Sequence, residues 1–240
     1  MISTLRKFYH QIRAWQDARF LRRLSEHLRQ AEPEAFQRLS TQVDRYRTDG
    51  ALSHPLQAYK LWELERTLFE LEPRRILELG TGSTTPIFAA YVLGHPDASL
   101  VAVDETERWI HHTRELLPEE ARTSNQVKLH HSPRVVTSGP GGVEIRYEAL
   151  PEGDFDLVFV DGPSLQGEDG RKILGAVNSD VRELVHRSPP ATVVVDMRRD
   201  TVRWFAETYR DDYEARISDR ILGRRSLDYR YLTRFSRRSE

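Results

Sequence analysis

Four acidic residues, each in or at the end of an apolar run, are where chemistry can be read from residue type and spacing. Glu78 sits in "RRILEL" and is followed by Gly80, Thr81, Gly82 and Ser83; Asp104 closes "SLVAVD", Asp161 closes "FDLVFVD" and Asp196 closes "ATVVVD". Burying those runs does not call for an acid, because any polar residue could end them. Gly80 and Gly82 let the backbone turn sharply and approach a ligand where a Cβ would clash. Asp104, 24 residues beyond Gly80, is spaced to accept hydrogen bonds from two vicinal ribose hydroxyls. Glu78, two residues before the first glycine, repels a pyrophosphate and suits a cation. Adenosylmethionine, which carries a sulfonium and an α-ammonium, answers to that combination. A nicotinamide-dinucleotide site shares the glycines and Asp104, but its fingerprint has glycine or alanine where this chain has Thr85.

These residues need elements to hold them. Short apolar runs at 76–79, 99–103, 127–130, 155–160 and 191–196 read as strands. Between and around them, helical patterns fall at 55–71, 85–93, 105–117, 170–187 and 200–209, with Pro55 opening the first. Strands alternating with helices of this length mean βαβ crossovers and a parallel sheet. The end of the chain differs, because 213–218 and 228–235 are two strand patterns with no helix between them. Leu227, Tyr229, Tyr231, Thr233 and Phe235 share one face there by strict alternation. The expected fold is therefore α/β: a doubly wound, mostly parallel, seven-stranded Rossmann-like sheet ending in an antiparallel hairpin. Ligands of such sheets bind beyond the carboxyl ends of the strands. That edge collects Glu78 and the glycine loop, Asp104, His131 and Ser132, Asp161, and Asp196. The segment 141–154 reads as an insertion supplying an extra strand at the substrate mouth, and "TSGPGG" (137–142) as a loop.

Composition bounds the rest. The 240 residues carry 36 basic and 37 acidic side chains, so no global field favours nucleic acid. Lysine occurs only at Lys7, Lys60, Lys128 and Lys172, the other basic residues being arginine. The absence of cysteine excludes disulfides and thiolate nucleophiles. No apolar stretch is long enough to span a bilayer and no secretory signal is evident, so a cytoplasmic protein is expected. Residues 1–50 hold ten basic and six acidic side chains around an amphipathic pattern from Ile2 to Leu28. This segment reads as an N-terminal helical arm packed on the 51–240 domain or on a second subunit of a homo-oligomer. Peripheral contact with an anionic membrane is the alternative for the arm.

The stretches "ILELGTGSTT", "LVAVDE", "FDLVFVDGP" and "VVVD" together resemble the class I S-adenosylmethionine-dependent methyltransferases over roughly residues 55–235. That resemblance implies that Glu78, Gly80 and Gly82, with Thr81 and Ser83 in the same loop, hold the methionyl part of the cofactor. It gives Asp104 the ribose and puts Ser132 where an adenine contact, often acidic, is usual. Thr84 replaces the family's third glycine, a change that a hydroxyl-to-carboxylate hydrogen bond would explain. "DGP" is similar to the strand-four end of several small-molecule and sugar O-methyltransferases, which makes Asp161 the expected base for an alcohol acceptor. Some of those enzymes bind Mg²⁺ with an aspartate at that place and an Asp-Asn pair after strand five. Here Asp196 is followed by Met197, so a ligand is missing and a metal is not favoured. The expected reaction is methyl transfer to an oxygen of a small molecule or sugar. A NAD-type oxidoreductase and a non-catalytic binding subunit of the same fold are the two alternatives.

Overall fold

The computed structural model describes residues 19, 22–45, 58–139, 142–217 and 232–238. The apolar arm pattern up to Trp15, the helix start at Pro55 and the hairpin positions Leu227, Tyr229 and Tyr231 lie outside those residues. The first helices are α1 (22–31), α2 (Pro33–Arg45) and α3 (Ala58–Leu71). There follow β1 (Arg75–Leu79), α4 (Thr85–Leu93), β2 (Ser99–Asp104), α5 (Glu107–Leu116), α6 (Glu119–Thr123) and β3 (Val127–His131). A hairpin of β4 (Arg134–Gly139) and β5 (Gly142–Tyr147) precedes β6 (Leu157–Val160), and a two-residue β7 (Val177–Asn178) precedes α7 (Asp180–Arg187). The chain ends with β8 (Thr192–Val195), α8 (Arg199–Thr208), β9 (Tyr213–Ile217) and β10 (Thr233–Arg237).

Seven strands form one sheet in the order β3-β2-β1-β6-β8-β10-β9. The first five run parallel; β10 is antiparallel to both β8 and β9, which is the expected terminal hairpin. Leu79 pairs with Val103 on one side and Val160 on the other, so the three central strands end at one level. The strand order reverses between β1 and β6, the switch point at whose carboxyl edge ligands of such sheets bind. Strands buried on both faces read as unbroken apolar runs, as "LVFV" and "TVVV" do here. On one face Leu24, Leu28, Leu39 and Val43 share a core with Leu61, Leu64, Phe88 and Phe159. The other face buries Val158, Val181, Leu184 and Phe205 together with Tyr147. No helix among the described residues is long and apolar enough to cross a membrane.

Two local expectations need correction. The pattern over 170–187 predicts one helix, but only Asp180–Arg187 is helical. Gly170 and Gly175 both adopt φ +74, the left-handed region in which a right-handed helix cannot continue. The loop they shape ends in β7, where the buried Asn178 side chain donates to the Pro163 carbonyl at 2.9 Å. The 137–142 stretch is more than a loop, since Ser138 pairs with Val143 and Gly139 with Gly142 in the β4–β5 ladder. With β7 parallel to β5, these strands make a second, three-stranded sheet that includes the extra strand expected within 141–154.

Candidate active site

Gly80, at φ +96, turns the chain immediately after β1. A Cβ there would lie 2.6 Å from the carbonyl carbon of Asp161 and 2.7 Å from the nitrogen of Gly162. A Cβ on Gly162 would in turn lie 2.6 Å from both the Cα and the nitrogen of Gly80. The ends of β1 and β6 thus touch backbone to backbone, and side chains on either glycine would separate them. Gly82 differs, because a Cβ on it would meet nothing within 4 Å. Its surroundings are open, as a ligand-facing turn requires.

Beneath this loop Glu78 is fully buried. Thr84 Oγ1 donates to Glu78 Oε1 at 2.5 Å, which accounts for a threonine at the third-glycine position. The other oxygen, Oε2, has no partner. Burial raises the carboxyl to about 8 despite the Thr84 and Thr85 hydroxyls, and the negative charges of Asp161 and Asp104 add to the rise. A buried, half-satisfied carboxyl group under an open glycine turn is suited to meet a cationic ligand.

Asp104 ends β2 within reach of the same loop. Oδ2 accepts from the nitrogen and hydroxyl of Thr81, both at 3.1 Å. Oδ1 accepts from Thr106 N at 3.0 Å and Thr106 Oγ1 at 3.3 Å. Burial pushes its pKa up, and these four donors oppose the rise. Trp109, a residue that the sequence reading missed, anchors the loop from α5 by donating from Nε1 to the Thr81 carbonyl at 2.5 Å. Ser83 is held through its carbonyl by Gln42 Nε2 of α2 at 2.6 Å. Ser132 is buried, and its hydroxyl accepts from Ala149 N at 3.0 Å while its own N–H donates to the Asp104 carbonyl at 3.0 Å. The structure therefore gathers Glu78, Gly80, Thr81, Gly82 and Asp104 into one constellation. It gives Ser132 a place beside Asp104 with its hydroxyl committed to the loop after β5.

The ends of β6 and β8 form the second constellation. Nearly half of the Asp161 side chain, 47 %, is open to solvent. The protein packed around its carboxyl and the charge of Asp196 still push the pKa up to about 6, against the pull of Arg198 and Lys60. Arg198 is a clamp on this turn. Its guanidinium donates to the Asp161 carbonyl, to Pro163 O and Asn178 Oδ1 at 2.9 Å each, and to Asp161 Oδ1 at 3.3 Å. Asp196 lies inward against Lys60 of α3, whose Nζ is 2.6 Å from both carboxylate oxygens. Lys60 is 4 % exposed. Sequence reasoning missed it as well, although a lysine inside the apolar "AYKLWEL" was the available signal. After Asp196 the chain turns through Met197 at φ +49, which leaves this thioether side chain 38 % exposed.

Similarity to solved structures bears on the fold. The O-methyltransferase TomG from Streptomyces achromogenes, involved in tomaymycin synthesis and solved in complex with SAM, matches at TM-score 0.53. The identity is 19 % over 86 % of this chain and 90 % of that one. A Klebsiella pneumoniae protein matches at TM-score 0.55, with 18 % identity over 88 % of this chain and 94 % of that one. The Podospora anserina methyltransferase PaMTH1, solved with SAH bound, matches at 0.51, with 16 % identity over 90 % and 94 %. The fold is that of the class I methyltransferases. No protein-family model and no curated protein matches the sequence. The likeness is one of fold, and the side chains described above are this chain's own.

Proposed function

We propose that this protein is an S-adenosylmethionine-dependent methyltransferase acting on an oxygen of a small molecule. The observation that carries the reading is Glu78, fully buried with Oε2 unpartnered beneath the open turn at Gly82. A carboxyl in that position favours a cation and opposes a dinucleotide pyrophosphate. When bound, the cofactor supplies an electrophilic methyl group on a sulfonium. Glu78 with the Gly80–Ser83 turn binds its methionyl part. Asp104 would hold the ribose, its carboxylate oxygens accepting from the two vicinal hydroxyls. The backbone N–H groups of Thr81 and Thr106 hold the carboxylate in place for this. Ser132 and the loop it anchors flank the adenine side.

Methyl transfer is an in-line displacement, so the protein's work is to align the acceptor, take its proton and exclude water. Asp161 is the base: it stands at the carboxyl edge beside the glycine turn, reaches solvent, and titrates at about 6. Arg198 fixes the turn that carries it.

The test is calorimetric titration of the whole chain with adenosylmethionine, adenosylhomocysteine and NADH, beside Asp104→Ala. Micromolar binding of both sulfur ligands that is lost in the variant supports the reading. No heat from either sulfur ligand removes it, whatever NADH does.

A further inference from the structure

Two carboxylates at adjoining strand ends invite a divalent cation, and the residues present do not fit one. A hard cation takes six or more oxygens and needs carboxylates whose charge is still unmatched. Asp196 is already matched, since Lys60 Nζ sits 2.6 Å from both of its oxygens and the two side chains are 5 % and 7 % exposed. Asp161 shares its charge with Arg198 at 3.3 Å. Met197, next in the chain, offers a thioether. Among the described residues no three His, Asp or Glu side chains converge on a point that could hold a metal.

We propose that Lys60 is the resident cation of this site, fixed by the fold in the electrostatic place of a divalent ion, and that the protein works without a metal. A buried ion pair is no better for stability than a well-packed apolar pair of the same volume, so stability alone does not explain it. The residue type supports the same reading. This chain uses arginine at nearly every basic position, yet Lys60 is a lysine. An ammonium is a compact point charge, whereas a guanidinium is a broad planar fork, and only the former resembles a metal ion in size. Asp196 takes the ammonium with both of its carboxylate oxygens, so the two charges match one another inside the fold. Asp161 then remains the carboxylate that faces solvent. The catalytic half of this inference rests on the methyl-transfer reading, and the cation half does not.

Mn²⁺ alone is the probe, followed by the loss of its free electron-paramagnetic-resonance signal on adding whole protein. Wild type is expected to leave the signal unchanged at millimolar protein. Lys60→Ala uncovers Asp196 beside Asp161 and is expected to bind Mn²⁺ at least roughly tenfold more tightly than wild type. Lys60→Gln keeps most of the buried stem, serves if the alanine variant does not fold, and is expected to gain binding in the same direction. Lys60→Arg retains the charge and is expected to gain none. Mn²⁺ binding by wild type overturns the proposal, as does a folded neutral variant at position 60 with no gain. Adenosylhomocysteine titrated into the same samples separates the two readings. If that ligand fails while the Mn²⁺ pattern holds, the methyl-transfer function falls and the resident cation stands.

Discussion

Cofactor binding should expel a proton, and Glu78 should be its source. In the free protein, burial holds this carboxyl at about 8. At pH 7 roughly nine in ten molecules therefore carry the proton on Glu78. A sulfonium and an ammonium over the turn favour the carboxylate, so the pKa falls in the complex and the proton leaves. The sign follows from linkage: the complex binds fewer protons than the free protein, and affinity rises with pH up to about 8. Between pH 6 and pH 7 adenosylmethionine affinity should rise by nearly tenfold on this account. Calorimetry at pH 7 in buffers of different ionisation enthalpy gives the proton count as the slope of observed heat against buffer heat. Wild type should release about 0.9 proton more per ligand than Glu78→Gln. The ligand's own α-ammonium contributes alike to both proteins and cancels in the difference. Equal slopes for the two proteins, or net uptake by wild type, would refute the reasoning.

Other consequences can be measured directly. Gly162→Ala pushes a methyl group into the Gly80 backbone 2.6 Å away, so it should lower the melting temperature and abolish adenosylhomocysteine binding together. Asp196→Ala leaves the Lys60 ammonium buried and unpaired, and equilibrium unfolding should show a loss of roughly 3–5 kcal/mol. Asp180 is buried with Oδ2 unpartnered, and burial raises it to about 7. Its native state prefers the proton, so this group weakens stability progressively as pH rises from about 4 through 7. Asp180→Asn should accordingly raise the melting temperature at pH 8 and leave it unchanged at pH 4. With an acceptor in hand, Asp161→Asn should cut kcat by roughly 10²–10⁴, and wild-type turnover should fall away below about pH 6.

The parts of this structure that were legible in the sequence are those where one residue's environment is set by its neighbours in the chain. "LVFV" and "TVVV" had to be buried strands, and a glycine turn after an apolar run had to sit at the carboxyl edge. Thr84 bonds to Glu78 as its position suggested, because both residues flank the same turn. The 164–178 segment was less legible. Its glycines at 170 and 175 are ordinary residues of many helix ends, and only the tertiary frame puts both at positive φ. Arg198 carries no local mark of its role, because the structure binds it to three separated carbonyl or amide oxygens. Lys60 was marked only as a lysine inside an apolar run, and nothing there marks Asp196, 136 residues away, as its partner.

That separation has a consequence for how the domain is made. Pairing partners so far apart close a long loop, at an entropic cost that grows slowly with its length. Lys60 leaves the ribosome well before Asp196, and the partner that meets it at 2.6 Å is in place only once β8 is. Docking α3 on a sheet without β8 would bury the Lys60 ammonium without its hydrogen-bonded partner. The Lys60–Asp196 contact ties α3 to the last parallel strand of the sheet, and the charge of the site is complete only once β8 is placed.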